Sequence, residues 1–134
     1  MSEDIVKKRQ HLNGIATMIF KASMSVHSEM GPGLLEAVYQ HCMVRELKLR
    51  GLSVVRNAVV PLSYKGESLN KDYIIDLLVE DQIIIELKAV EGLLPIHEAQ
   101  LLSYLKLANK QLGFLINFNV PLIKQGVRRF VNGF

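Results

Sequence analysis

Two hydrophobic patterns follow one another along the chain, and the first has the period of a helix. Residues 11–29 place apolar side chains on one helical stripe, at Ile15, Met18, Ile19, Ala22 and Val26. The glycines and proline of MGPG at 30–33 end this helix. A second helix is predicted over 34–50, with Gly51 well placed as its C-cap.

After the second helix the hydrophobic period changes to that of strands. Residues 52–66 are rich in β-branched side chains and predict one long strand, or two short strands broken near Pro61. Strands are predicted at 67–79 and over the segment QIIIELKAV at 82–90, on either side of a polar tip at Glu80-Asp81-Gln82. The pattern predicts a meander of antiparallel strands.

The last part of the chain predicts one more helix and one or two strands. The helix covers 96–109, with strands at 111–119 and 126–131. The candidates for the buried side of this helix are Ile96, Ala99, Leu102, Leu105 and Leu107. The order α-α-β-β-β-α-β, with a short extra strand, predicts an α/β domain in which helices flank a central mixed sheet. We expect one domain over 1–134, with a flexible or fraying N-terminus at 1–10.

Composition narrows the class of protein. Of the 134 residues 49% are hydrophobic and 22% are charged, which is typical of a globular chain. The net charge of +3 permits an anionic partner without requiring one. A single cysteine excludes a Cys-rich zinc site. The polar N-terminus and the lack of an apolar run of about 20 residues predict a soluble cytoplasmic protein that is not associated with a membrane.

The hairpin around 80–82 contains charges where a buried strand would be apolar. If the tip centres on Asp81, Asp76 faces Glu86 and Lys88 lies on the same side of the hairpin. This convergence assumes a loop with an odd number of residues, since a two-residue turn would separate the charges. The apolar side would contain Ile75, Leu77, Val79, Ile83, Ile85 and Leu87. The charged side would be partly covered by Ile74, Leu78 and Ile84.

Two interpretations of this charged notch stay open on geometry alone. Facing carboxylates repel unless a cation lies between them, and a divalent ion such as Mg²⁺ prefers carboxylate oxygens. A metal with a lysine near its water would suit phosphodiester hydrolysis. Alternatively, Lys88 could neutralise one acid in a cross-strand salt bridge that has only a structural role.

Asp76 followed by Glu86-Leu87-Lys88 resembles the D-x(n)-E-x-K core of the PD-(D/E)xK nuclease superfamily. The segment GPGLLEAVY at 31–39 also has Gly33, Glu36 and Tyr39 in the spacing of the GxxExxY family. VHSEMGPG, IELKAV, AQLLSYL and LGFLINF resemble that family too, so that the similarity covers residues from about 12 to 131. In place of the proline that gives the superfamily its name, this chain has Ile75.

The resemblance implies a restriction-endonuclease-like fold with about four central strands, and a Mg²⁺-dependent nuclease, with Mn²⁺ as an alternative ion. It implies that Asp76, Glu86 and Glu36 are metal-binding acids. The carbonyl of Leu87 would be a further metal ligand, and Lys88 would position the attacking water. Members of the GxxExxY family are largely inferred nucleases, and a substrate does not transfer with a fold.

Three further residues are implied in support of the site: Gln100, Tyr104 and Tyr39. Gln100 and Tyr104 match a Q-x-x-x-Y motif of RecB-like members and share one helical face. Each also has a simpler reading, since a tyrosine such as Tyr39 commonly packs in a core with its hydroxyl bonded. Likewise, Glu36 near a helix N-terminus is favoured by the helix dipole.

The expected partner is nucleic acid, with DNA favoured over RNA. Arg128 and Arg129 in the last strand are candidate phosphate contacts, although alternation allows at most one of them to face the site. An alternative function is a non-catalytic nucleic-acid-binding or accessory module on the same fold, which the small size favours. A homodimer would enlarge the surface for DNA in either case.

Overall fold

The protein has helices on both faces of a five-stranded mixed sheet. The computed structural model describes residues 2–134. The helices are α1 (Glu3–Met30), α2 (Glu36–Leu49) and α3 (Pro95–Ala108), with a 3₁₀ helix at Ile123–Gln125. The strands are β1 (Val54–Tyr64), β2 (Glu67–Val79), β3 (Ile83–Lys88), β4 (Leu112–Asn117) and β5 (Val127–Val131). The predicted α/β class and element order are confirmed.

The strands lie in the sheet in chain order, from β1 to β5. Strands β3 and β4 are parallel, and every other neighbouring pair is antiparallel. A parallel pair requires a crossover connection, which α3 supplies. The sheet has five strands where the resemblance implied about four, because the short final segment pairs with β4 along its full length.

Helix α1 begins at Glu3, earlier than the hydrophobic stripe predicted. The side chain of Ser2 accepts a hydrogen bond from the Ile5 N–H at 3.2 Å, and Glu3 and Asp4 follow in the first turn. A serine cap and acidic residues both stabilise a helix N-terminus. Residues 3–10, expected as a flexible terminus, are therefore helical, while Met1 lies outside the described residues. No helix within 2–134 is long and apolar enough to cross a membrane.

The two faces of the sheet are covered to different depths. Helices α1 and α2 cover one face, and the side chains buried there include Leu12, Ile19, Met43, Leu47, Leu77, Val79, Ile83, Ile85 and Phe118. Helix α3 alone covers the other face, where the buried cluster is Val60, Ile75, Ile84, Leu101, Leu105 and Leu115. Burying one such side chain stabilises the fold by about 1.5–3 kcal/mol.

Of the five residues predicted for the buried face of α3, Leu105 is buried and the other four are exposed. Leu101 and Leu105 are fully buried, whereas Ile96, Ala99, Leu102 and Leu107 are exposed. The side chains of Leu101 and Leu105 lie 3.0 and 3.2 Å from where a Cβ on Gly113 would be. Since Gly113 has no side chain, the helix approaches β4 closely through these two leucines, which fixes its rotation. A helix with apolar residues on several sides gave the sequence pattern no means to select this face.

Strands β1 and β2 continue past the sheet as a projecting hairpin, here called the β1–β2 arm and comprising residues 61–74. Its side chains are exposed except for the half-buried Leu62. The turn at Lys65 and Gly66 has positive φ at both residues, 48° and 83°, which suits a tight hairpin. β1 is one long strand, in which Pro61 pairs with Asp72 and the register shifts between Pro61 and Ser63.

Candidate active site

The hairpin between β2 and β3 has the register that a loop centred on Asp81 predicts. Val79 pairs with Ile83 and Leu77 with Ile85. Glu80 and Asp81 adopt positive φ values of 53° and 54°, which closes a three-residue loop. The side chains at the even positions of β3 point toward α3, as the burial of Ile84 against that helix shows. The hairpin therefore directs Glu86 and Lys88 to the α3 face.

Asp76 and Glu86 meet where the two strands separate. Backbone pairing between β2 and β3 ends at Leu77 and Ile85. Beyond that pair, the N–H of Asp76 donates to Glu86 Oε1 at 3.1 Å, and the N–H of Leu87 donates to Asp76 Oδ2 at 2.8 Å. The two carboxylates thus replace backbone carbonyls as acceptors and fill the gap between the strands. This exchange holds both acids in place without a cation.

A local distortion of β1 turns Asp76 toward β3. The β1–β2 ladder is interrupted at Asn57 and Asp76, although the pairs on either side are formed. Asn57 has a φ of 54°, in the left-handed region where asparagine is enriched. Gln40 on α2 donates its Nε2 to Asn57 Oδ1 at 2.9 Å and to the Asp76 carbonyl at 3.1 Å. Gln40 therefore fastens the bend, a role that its position in a helical pattern did not indicate.

Because of the same bend, Ile75 and Leu77 lie on opposite faces of the sheet, contrary to the predicted alternation of β2. Ile75 was expected on the apolar side together with Leu77, opposite the charges. Instead Ile75 is buried beside Ile84 and Leu101 on the α3 face, while Leu77 lies in the α1–α2 core. The prediction was wrong because strict alternation has no place for the left-handed residue in the neighbouring strand. Ile74, expected to cover the charged notch, is half exposed.

Burial and mutual repulsion set the electrostatics of the acid pair. Glu86 is only 7% exposed. Burial raises the pKa of Glu86, and the charge of Asp76 raises it further, to about 8, against a smaller opposing effect of Lys88. Among the ion pairs of residues 2–134, none joins Lys88 to either acid. The cross-strand salt bridge considered from the sequence is therefore not formed, and the acids have no direct positive partner.

Lys88 is held at the end of β3 by a buried amide. It pairs with Asn117 of the parallel strand β4, and its carbonyl accepts from the Phe118 N–H at 2.9 Å. The Asn117 side chain, almost fully buried, accepts from the Val90 N–H at 3.1 Å and donates to the Val90 carbonyl at 2.9 Å. Asn117 thereby fixes the segment that follows Lys88. The only sequence signal for it was a polar residue at the end of an apolar strand.

Tyr104 on α3 lies beside the acid pair. Burial raises its pKa, and the charges of Glu86, Tyr73 and Asp76 act in the same direction. Its ring meets Tyr73 edge to face, with 4.8 Å between ring centroids. Gln100 is exposed on the preceding turn of the helix.

Glu36 is the first residue of α2 and is exposed. Within residues 2–134, no three or more His, Cys, Asp or Glu side chains are grouped so as to hold a metal ion. The acids at 36, 76 and 86 therefore do not converge in this arrangement. Of the predicted acidic ligands, the structure brings two together.

Tyr39 is a core residue that organises the loop before α2. Its hydroxyl donates to the Gly31 carbonyl at 2.6 Å and accepts from the Leu34 N–H at 3.1 Å. Its ring stacks on Phe118 with centroids 4.4 Å apart. Both bonds fix the loop that starts α2, so that Tyr39 supports the position of the helix and does not contact the acids directly.

The paired arginines of β5 point to opposite faces, as alternation required. Arg128 makes an ion pair with Glu98 of α3 at 3.8 Å. Arg129 donates to Asn13 Oδ1 of α1 at 2.9 Å. Of the two, Arg128 alone is on the face that carries the acid pair.

The residues present fit a divalent cation. Asp76 and Glu86 offer hard carboxylate oxygens on a common gap, and a divalent ion would offset the burial and the repulsion from Asp76 that raise the pKa of Glu86. The sequence model of the PD-(D/E)XK nuclease superfamily matches residues 13–130, from α1 into β5. Comparisons with curated proteins and with solved structures gave no match. The acidic hairpin lies within the matched region, and the chain belongs to the PD-(D/E)XK nuclease superfamily.

Proposed function

We propose that this protein is a metal-dependent nuclease that hydrolyses phosphodiester bonds of DNA. The observation that carries the proposal is the facing of Asp76 and Glu86 in a buried gap with no direct cationic partner. A buried acid pair with only a structural role would be expected to gain a lysine or arginine contact, since two adjacent buried carboxyl groups cannot both ionise at low cost without a cation. An acid pair left open is what a cation-binding site requires.

Asp76 and Glu86 would hold Mg²⁺ or Mn²⁺, with the Leu87 carbonyl as a further ligand. Mg²⁺ usually takes one or two protein carboxylates and keeps several waters, so that two acids are sufficient. Glu36 is a candidate for contact through such a water. When bound, the ion supplies positive charge to the phosphate and to the attacking nucleophile.

Lys88 is the residue that would position the water that attacks the phosphorus. Lys88 is half-buried on the face of the acids, and its charge opposes the rise in the pKa of Glu86. A lysine there can orient a water against the phosphorus and stabilise the negative charge that grows on the phosphate oxygens. The water oxygen bonds to phosphorus as the bond to the leaving sugar oxygen breaks, and that oxygen takes up a proton.

Membership of the GxxExxY family is a finer proposal, supported by Gly33, Glu36 and Tyr39 at the family spacing. Gly33 has a φ of 92° in the loop whose carbonyl and N–H groups Tyr39 binds. The glycine and the tyrosine then serve the loop and the start of α2, and Glu36 is the member of the motif that remains available for chemistry.

The test is a cleavage assay on single- and double-stranded DNA and RNA with Mg²⁺ or Mn²⁺. Asp76→Asn is expected to reduce the rate by about 100-fold or more, since a metal contributes several kcal/mol of charge stabilisation. Asp72→Asn is the matched control, because Asp72 is an exposed acid on the same strand, four residues before Asp76. If wild type and Asp76→Asn cleave equally, the nuclease is refuted and the accessory module replaces it.

A further inference from the structure

We propose that Tyr73 and Tyr104 form a stacking subsite for an unpaired DNA base beside the acid pair, so that the substrate is single-stranded or frayed DNA. The inference rests on the proposed function, because it assigns the substrate class of the same site. Neither the family match nor the acid pair itself distinguishes single strands from duplexes.

The two rings come from different elements and meet next to the carboxylates. Tyr73 is on β2, three residues before Asp76, and Tyr104 is on α3. Tyr104 packs against the buried cluster of the α3 face. That cluster contains Ile75, the residue before Asp76, and Ile84, two residues before Glu86 on the same side of β3. An edge-to-face contact, with an interplanar angle of 64°, holds the rings together. The pair therefore lies on the α3 face, next to the strand segments that carry the two acids.

The rings remain available to a ligand. Tyr73 is 37% exposed, on the stretch of β2 that has left the core, and Tyr104 is only half-buried. In an edge-to-face pair each ring keeps at least one face that the other does not cover. Lys71, exposed two residues before Tyr73, adds a positive charge on the same side of the strand.

The occupant that this chemistry fits is an unpaired base. In a duplex the faces of the bases are covered by their neighbours, whereas a single strand can stack its bases on aromatic side chains and keep its phosphates near lysines. A phosphodiester next to the stacked base would lie toward Asp76 and Glu86. The net charge of +3 is compatible with a polyanion such as DNA.

Fluorescence anisotropy with a labelled oligothymidylate of about 16 nucleotides, in EDTA to prevent cleavage, tests the proposal. Tyr73→Ala is expected to weaken binding by about 5- to 150-fold, and Tyr73→Phe to restore it, because the ring and not the hydroxyl stacks. Tyr64→Ala is the matched control, since Tyr64 is 63% exposed near the far end of the arm. Binding of a duplex of equal length should be unchanged by Tyr73→Ala.

Three outcomes would overturn the inference: no binding of the single strand by wild type, an equal loss on the duplex, or an equal loss in Tyr64→Ala. A change in sedimentation of Tyr73→Ala without a change in DNA binding would assign the rings to a second copy of the chain and also overturn it. If Tyr73→Ala is unfolded by circular dichroism, Tyr73→Leu replaces it as the ring-free variant. If wild type does not cleave DNA but Tyr73→Ala still weakens binding of the single strand, the nuclease proposal is refuted and the stacking subsite is supported.

Discussion

The two faces of the sheet are built differently, and the difference explains where the acid pair lies. Helices α1 and α2 bury a continuous apolar cluster on one face, from Leu12 to Ile123. On the other face a single helix covers a small cluster around Leu101 and Leu105. Charged side chains are costly in the first environment, whereas the second leaves the ends of the strands partly open to water.

Asp76, Glu86 and Lys88 belong to the thinly covered face. We call the face covered by α1 and α2 the thick face, and the face covered by α3 the thin face. On the thick face, Leu77 and Ile85 are buried directly behind the acids and hold the hairpin rigid. A rigid support behind a partly open notch is what a precise ligand site requires. The comparison implies that side chains of the thin face control chemistry, and that those of the thick face control stability.

The largest expected effect is a loss of cleavage rate when Glu86, on the thin face, is changed, compared with Glu36 at the start of α2 on the thick face. Glu86→Gln should lower cleavage by about 10²- to 10³-fold, because it removes one of the two carboxylates that would hold the metal. Glu36→Gln, at the start of a thick-face helix, should lower it by less than about tenfold, as expected of an indirect contact through water. Rates under single-turnover conditions with Mg²⁺ measure both.

Equal losses in Glu86→Gln and Glu36→Gln would break the comparison, since they would place Glu36 in the site on binding metal. Isothermal titration of Mn²⁺ into each variant separates a loss of metal affinity from a loss of chemistry. Folding is controlled by circular dichroism.

The next effect concerns the apolar contact of α3 with the sheet. Leu101→Ala should reduce the free energy of unfolding by about 2–5 kcal/mol, because it opens a cavity against Gly113. Leu102→Ala, the adjacent exposed residue, should change it by less than about 0.5 kcal/mol. Urea unfolding followed by circular dichroism compares the two. If Leu102→Ala lowers the free energy of unfolding more than Leu101→Ala does, the buried face of α3 is the one that contains Leu102, as the sequence predicted.

The sequence predicted the parts of this fold that depend on local pattern. The strand and helix order, the hairpin register and the meeting of Asp76 with Glu86 follow from period and loop length. What it missed depends on contacts between distant segments. The rotation of α3 is set by the missing side chain of Gly113, and the exception at Ile75 is set by a left-handed asparagine in the neighbouring strand.

The candidate site divides in the same way. The three hairpin residues could be proposed because their spacing, together with an assumed loop of three residues, places them on one side of the hairpin. Gln40 and Asn117 could not, since an amide in a helix or at a strand end acquires its role only from the backbone groups that folding brings to it.

A third prediction uses the buried charge of the thin face. The pKa of Glu86 is raised from 4.5 to about 8 in the folded chain, so that the native state binds the extra proton between these values. Stability without divalent metal should therefore fall as pH rises from about 4.5 to 8, by a few kcal/mol at about 1.4 kcal/mol per pKa unit. Urea unfolding at pH 5.5 and pH 9 measures the loss.

Glu86→Gln should remove most of this pH dependence, because glutamine does not titrate. Added Mg²⁺ should stabilise wild type at pH 9 more than at pH 5.5, since the ion and the proton compete for the same carboxylate. A wild type whose stability is level across this range would show that Glu86 is ionised throughout, and that the thin face is better hydrated than its burial implies.

The smallest expected effect concerns the hydrogen bonds by which Gln40 on α2 holds the strand segment around Asp76. Gln40→Met removes the amide that binds Asn57 and the Asp76 carbonyl. A net loss of about 1 kcal/mol in stability is expected for these exposed or half-buried bonds. Because the bend would then hold Asp76 less well, kcat should fall by about tenfold while KM for DNA is unchanged.

Arg56→Met is the matched control, since the Arg56 guanidinium donates to Gln40 Oε1 at 3.4 Å, on the side of the amide that does not bind Asn57 or Asp76. Asn57→Gly offers a second comparison, because glycine accepts the left-handed backbone while lacking the amide. If Gln40→Met loses stability but keeps the wild-type kcat, the bend is set by Asn57 alone. The thick face would then support the acids only through the apolar side chains behind the hairpin, and the polar link from α2 would have no part in positioning Asp76.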